Sequence, residues 1–184
     1  MRYFFGFLVT IGLVILVIIL LVSGGGSKQP ATKVDLRQYA NSDARAQLIV
    51  DGPIVSDQEH QQVEIDVDRN QVAYTLYTGY QRTIKTTKSY TNNNNAFNNF
   101  LYGLYQANYA NGNTDKSLRD NRGYCVEGER YNFSFDDSTK NVLYLWHTSC
   151  GQGTYKGNFA ATLYLFKNQV PDLYTLTNEV NFGF

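Results

Sequence analysis

The sequence is poor in the residues from which most catalytic and metal centres are built, with two histidines and two cysteines in 184 residues. Cys125, Cys150 and His147 would supply at most three metal ligands, and the close C-x-x-C pairs typical of zinc sites are missing. Neither sign of charge predominates, with sixteen Lys and Arg against sixteen Asp and Glu. The basic residues are scattered, which excludes the electrostatic footprint of a nucleic-acid binder. His60 sits among Asp57, Gln58, Glu59, Gln61 and Gln62 and reads as a surface residue. Nothing assembles a triad, and no cofactor is implied.

Charge is also missing from one long stretch. Residues 3–22 are apolar beyond Tyr3, interrupted only by Gly6, Thr10 and Gly12. Their twenty positions, at about 1.5 Å each, give roughly 30 Å of helix, the thickness of a hydrocarbon core. Soluble helices carry a polar stripe that this run lacks. It therefore predicts a transmembrane anchor. A cleaved signal peptide competes, because Arg2 precedes the run and Ser23 to Gly26 are small. Signal cores span about 7–15 residues, however, and no A-x-A pattern follows this one. The missing Cys near residues 20–26 excludes a lipid-modified anchor, and Ile11 stands where a pilin-type leader needs Glu. Flanking charges, Arg2 against Lys28, Lys33 and Arg37, are equivocal about orientation. The short N-terminal flank and long following domain favour export of the C-terminal side.

The two cysteines favour export as well. Residues 130–136 alternate Tyr131, Phe133 and Phe135 with polar positions, residues 142–150 form a second strand-like segment, and the polar cluster 136–141 separates them. This is a hairpin. If Phe135 opposes Lys140 across residues 136–139, then Phe133 opposes Val142, Tyr131 opposes Tyr144, and Cys125 meets Cys150. Directly opposed Cβ atoms stand about 4.5–5.5 Å apart, near disulfide range. A bridge would place the domain in an oxidising compartment. The rival reading, a Cys150 nucleophile activated by His147, fails on an extended strand, where residues three apart point to opposite faces.

Residues 23–34, rich in Gly, Ser and Lys, read as a flexible linker, leaving one domain over residues 35–184. Residues 46–50, 63–68, 72–78 and 83–90 read as strands, the last an edge strand. The alternation of Val63, Ile65 and Val67 with Glu64, Asp66 and Asp68 gives the second an acidic outer face. One amphipathic helix spans residues 95–110, capped within Asn92 to Asn95, with Phe97, Phe100, Leu101, Leu104, Tyr105 and Asn108 along one face and Gly112 ending it. A further strand is expected over 159–166 and a short helix after Pro171. The fold class is α+β, with antiparallel hairpins packed by the helix and one disulfide hairpin.

Asp66, Asp68 and Asn70 match the opening of a calcium loop, but Gln71 and Tyr77 replace its Gly and closing Glu, so a solvated strand face is the better reading. Glu127, Glu129, Asp136 and Asp137 supply carboxylates for glycosidase-like chemistry only by chance proximity. Asn132-Phe133-Ser134 is a glycosylation sequon inside a strand. Fifteen tyrosines are more suggestive, because Tyr gives rigid contact area with a polar tip. Tyr131, Tyr144, Trp146 and His147 are the candidate binding surface, set against ordinary β-propensity.

Cys125, Gly128 to Phe133, Trp146, Ser149-Cys150-Gly151, Gly153-Thr154-Tyr155 and Gln169 to Asp172 resemble a group of uncharacterised single-span exported proteins of small-genome bacteria. The resemblance implies location in the cell envelope and nothing catalytic. The expected function is therefore a membrane-anchored extracytoplasmic binding or scaffolding domain. It would hold the bilayer through residues 3–22 and meet an envelope glycan or protein. An envelope hydrolase of glycan or peptide bonds, or a structural subunit of a membrane complex, is the alternative.

Overall fold

The computed structural model describes Gly12 and residues 34–184. Apart from Gly12 and Val34, the predicted span 3–22 and linker 23–34 lie outside the described residues. Among the described residues no helix is long and apolar enough to cross a membrane.

Six antiparallel strands form one sheet in the order β4-β3-β2-β1-β5-β6, comprising β1 (Ala44–Asp51), β2 (Gln61–Asp68), β3 (Gln71–Thr78), β4 (Thr83–Thr91), β5 (Arg130–Asp137) and β6 (Lys140–Thr148). Over residues 34–184 the α-helices are α1 (Asn94–Gln106), α2 (Phe159–Lys167) and α3 (Leu173–Thr177). The class is α+β, as the strand-and-helix pattern predicts. Alternation sets the two faces. Ala46, Leu48 and Val50 of β1, Val63, Ile65 and Val67 of β2 and Phe133 and Phe135 of β5 are buried in one cluster with Phe97, Leu101 and Leu104 of α1 and Phe166 of α2. The partners one residue along each strand face the other way and are mostly polar.

Helix α1 starts where its cap predicts, with Asn93 Oδ1 accepting from Ala96 N at 3.0 Å. Its end differs. The helix ends at Gln106 with Ala107 as its cap, and Asn108 turns left-handed at φ 54°, so the chain leaves the helix well before Gly112. Tyr109 then drops into the core, its hydroxyl donating to Ser134 O at 2.8 Å. Gly112 has a different role, bridging to Tyr155 so closely that a Cβ there would stand 2.6 Å from Leu145 Cδ2. Residues 159–166, predicted as a strand, are instead α2. Asn158 caps it, accepting from Ala161 N at 3.0 Å, and Thr162 and Phe166, one turn apart, are its buried residues. A short apolar run carries no periodicity that separates the two states.

The disulfide exists, with an S–S distance of 2.02 Å between Cys125 and Cys150. The hairpin register that predicts it is different. Phe133 pairs with Leu145 and Tyr131 with His147, because the loop is only Ser138 and Thr139, with a bulge between Phe135 and Asp136. Pairing continues past the strands through Ser149 N to Glu129 O at 3.0 Å, which sets Gly128 rather than Cys125 beside Cys150. A turn closed by Gly128 N to Cys125 O at 3.0 Å then folds Cys125 back over that position, with Cys125 itself at φ 50°. The turn absorbs the three-residue difference.

Candidate functional site

At the C-terminal end of β1, Asp51 emerges on the face opposite the helices, with Gln62 of β2 on one side and Arg130 of β5 on the other. Its carboxylate is a hub. Arg130 donates to Asp51 Oδ2 from Nε at 3.0 Å and from Nη2 at 2.6 Å, and Nη2 also reaches Gly52 O at 2.8 Å. His60 Nε2 stands 3.0 Å from Asp51 Oδ1, and Gln62 Nε2 donates to the same oxygen at 3.3 Å. The Gln62 amide orientation is fixed thereby, since an ionised carboxylate only accepts.

His60 is not the surface residue that its polar neighbours suggest; it is 3 % exposed. The loop 53–60 curls over the sheet end, and its ring stacks on Tyr80 at 4.1 Å between centroids. Tyr80 is itself pinned at both ends. Its N–H donates to Asp57 Oδ1 and its hydroxyl to Val55 O, each at 2.8 Å. Gly79 opens this turn at φ 70°, a conformation that favours glycine.

Asp51, His60, Gln62, Tyr80 and Arg130 line a recess of about 420 Å³, with Ile54, Arg82, Asn121 and Arg122 also on its wall. Each arginine is matched by a carboxylate. Arg82 pairs with Glu64 and lies 4.3 Å over the Tyr77 ring, and Arg122 pairs with Asp120 at 2.6 Å. Two buried polar atoms of the recess lack a hydrogen-bond partner among the described residues, Arg130 Nη1 and Gln62 Oε1. An unmet buried polar atom costs about 1–3 kcal/mol, so two on one small cavity are unusual.

Further along the same face, Glu64 and Asp66 are next neighbours on β2. Burial, then a hydrogen bond with Glu64 and the repulsion of its charge, push the Asp66 carboxyl up to about 7, against the opposing pull of Arg45 and Gln47. The folded state thus holds a proton that the unfolded chain releases near the ordinary carboxylate value. Stability from this group is full below about pH 4 and falls as pH rises towards 7, then levels off. Asp66→Asn should flatten that slope and stabilise the domain by about 2 kcal/mol at pH 8. Urea unfolding of both proteins at pH 5 and pH 8 measures it; equal pH dependence of the two would remove Asp66 as the cause.

The predicted binding residues do not form one surface. Tyr131 and His147, opposed in the register, lie on the helix face, their rings 4.8 and 4.6 Å from Phe159. Burial, then the charge of Lys156, lowers the His147 pKa below its usual value. Tyr144 and Trp146 lie on the opposite face, under the segment that leads to Cys125. Trp146 Nε1 donates to Leu118 O at 2.6 Å, and the Tyr144 hydroxyl to Asn132 Oδ1 at 2.9 Å. Tyr131 and Trp146 are buried. Asp68 of the calcium-like pattern accepts from Asn70 N and Gln71 N at 2.6 and 2.9 Å, which closes the β2–β3 turn. No group of three or more His, Cys, Asp or Glu among the described residues is placed to hold a metal ion.

Sequence reasoning passed over Asp51, Gln62, Tyr80 and Arg130 and read His60 as a surface residue. The available signal was Arg130 opening a strand of alternating aromatics, where a charged residue needs a partner once buried. Together the fold and recess define an α+β domain whose antiparallel sheet carries helices on one face and a charge-paired pocket at one end of the other. The chain matches no protein family and no curated protein.

Proposed function

We propose that the chain is a membrane-anchored extracytoplasmic binding domain of the cell envelope, held to the bilayer by residues 3–22, with the recess around Asp51 and Arg130 as its ligand site. The observation that carries this reading is the recess itself, lined by Arg130 and Gln62, each of which has a buried polar atom without a hydrogen-bond partner among the described residues. Catalysis is not needed to account for that arrangement. The Cys125–Cys150 bond supports the extracytoplasmic side, because disulfides persist in oxidising compartments.

Labelling of intact cells with a membrane-impermeant thiol reagent, before and after reduction, tests the location. Modification only after reduction is expected, and free thiols shielded inside the cell would overturn it. The bridge closes a 25-residue separation. In the loop-entropy account its loss costs about 3 kcal/mol, so the reduced protein should unfold at clearly lower urea than the oxidised one.

A further inference from the structure

The recess presents one unmet donor and one unmet acceptor, and they belong to strands on opposite sides of Asp51. Arg130 Nη1 carries part of a cationic guanidinium, and Gln62 Oε1 takes only a hydrogen. Ile54 and Tyr80, both partly exposed, add apolar walls. Arg82 and Arg122 are each matched by one carboxylate, so the site has no surplus positive charge for a dianion such as phosphate.

His60 faces two acceptors, Asp51 Oδ1 at 3.0 Å and Pro53 O at 3.3 Å. Arg130 Nη1 still calls for an acceptor, and a carboxylate oxygen is the planar partner that suits a guanidinium.

We propose that this recess binds the carboxyl end of a peptide or acylated amino acid with an apolar last side chain. The terminal carboxylate meets Arg130 Nη1, the last amide N–H donates to Gln62 Oε1, and the side chain packs between Ile54 and Tyr80. Both polar atoms are closed to water in the free protein, so binding requires the side chains packed around them to shift. The planar guanidinium suits a carboxylate, and burial strengthens the charged bond. The proposal rests on the reading of the domain as a binding module.

The test uses the full chain in a sugar-free detergent and titrates three probes by calorimetry: acetyl-Ala-Leu with a free carboxylate, the same peptide as its C-terminal amide, and a trimer of N-acetylglucosamine. The free acid should bind at least about tenfold more tightly than the amide, a difference typical of a lost charged hydrogen bond. Gln62→Leu should weaken the acid by about tenfold while thermal unfolding stays put. Equal affinity for acid and amide, or no binding of either, overturns the carboxylate site. Binding of the glycan trimer alone also overturns it, yet leaves the binding-module reading standing; silence from all three probes removes the support that the recess gives to both.

Discussion

Leu104→Asp is expected to leave the domain unfolded at 25 °C. Leu104 has no exposure and lies on the face of α1 that joins the inward side chains of the sheet. Its truncation alone would remove about 2–5 kcal/mol, through lost transfer free energy and the cavity left behind. A carboxylate in the same place adds several kcal/mol more, since it would be buried among the apolar side chains of the core. The sum reaches the whole stability of a typical domain, about 5–15 kcal/mol. Tyr102→Asp is the control, because Tyr102 sits two residues away on the same helix and is 52 % exposed. It should change stability by less than about 1 kcal/mol. Near-ultraviolet circular dichroism and urea titration read both variants. A cooperative, native-like transition for Leu104→Asp would mean that this face of α1 is not core.

The parts of the fold that sequence discloses are those where one period dominates. The alternation across Val63, Ile65 and Val67 can bury only one face of a strand, and the asparagines before Phe97 offer the backbone a cap that ends one element and starts the next. Where two conformations serve a segment equally, tertiary contacts decide. Residues 159–167 are short and apolar, and the buried hydrogen bond between Tyr155 and Thr162, at 2.6 Å, belongs to the helix. Register is similarly undetermined by composition, since a two-residue loop with a bulge and a four-residue loop draw on the same polar cluster. The disulfide is predicted correctly from an incorrect register because the Cys125–Gly128 turn makes up the difference. For the site, the loss is of another kind. Hydrophobic patterning cannot see a charged residue buried by its partners, and Arg130 stands 79 positions from Asp51, the contact that explains its burial. The tyrosines mislead for a related reason, as the same strand sends Tyr144 and Trp146 to one face and His147 to the other.

Arg130→Met should destabilise the domain by about 3–5 kcal/mol, the usual result of removing one member of a buried ion pair. The Arg130 side chain is 4 % exposed and makes three hydrogen bonds, two to Asp51 Oδ2 and one to Gly52 O. Without it, Asp51 keeps His60 and Gln62 on one oxygen and has nothing on the other. The same large loss is expected from Asp51→Leu, which strands the guanidinium. The double variant is the informative one. Two apolar side chains of similar volume leave no unpaired charge, so Arg130→Met with Asp51→Leu should cost less than the two single changes added together, by about 2 kcal/mol or more. Urea unfolding of the four proteins completes the cycle, and simple additivity would show that the pair is not coupled in the folded state. The double variant also separates stability from recognition. If it folds and no longer distinguishes acetyl-Ala-Leu from its amide, Arg130 serves the ligand as well as the sheet; if it still distinguishes them, the carboxylate is held by other cations and Arg130 is structural alone.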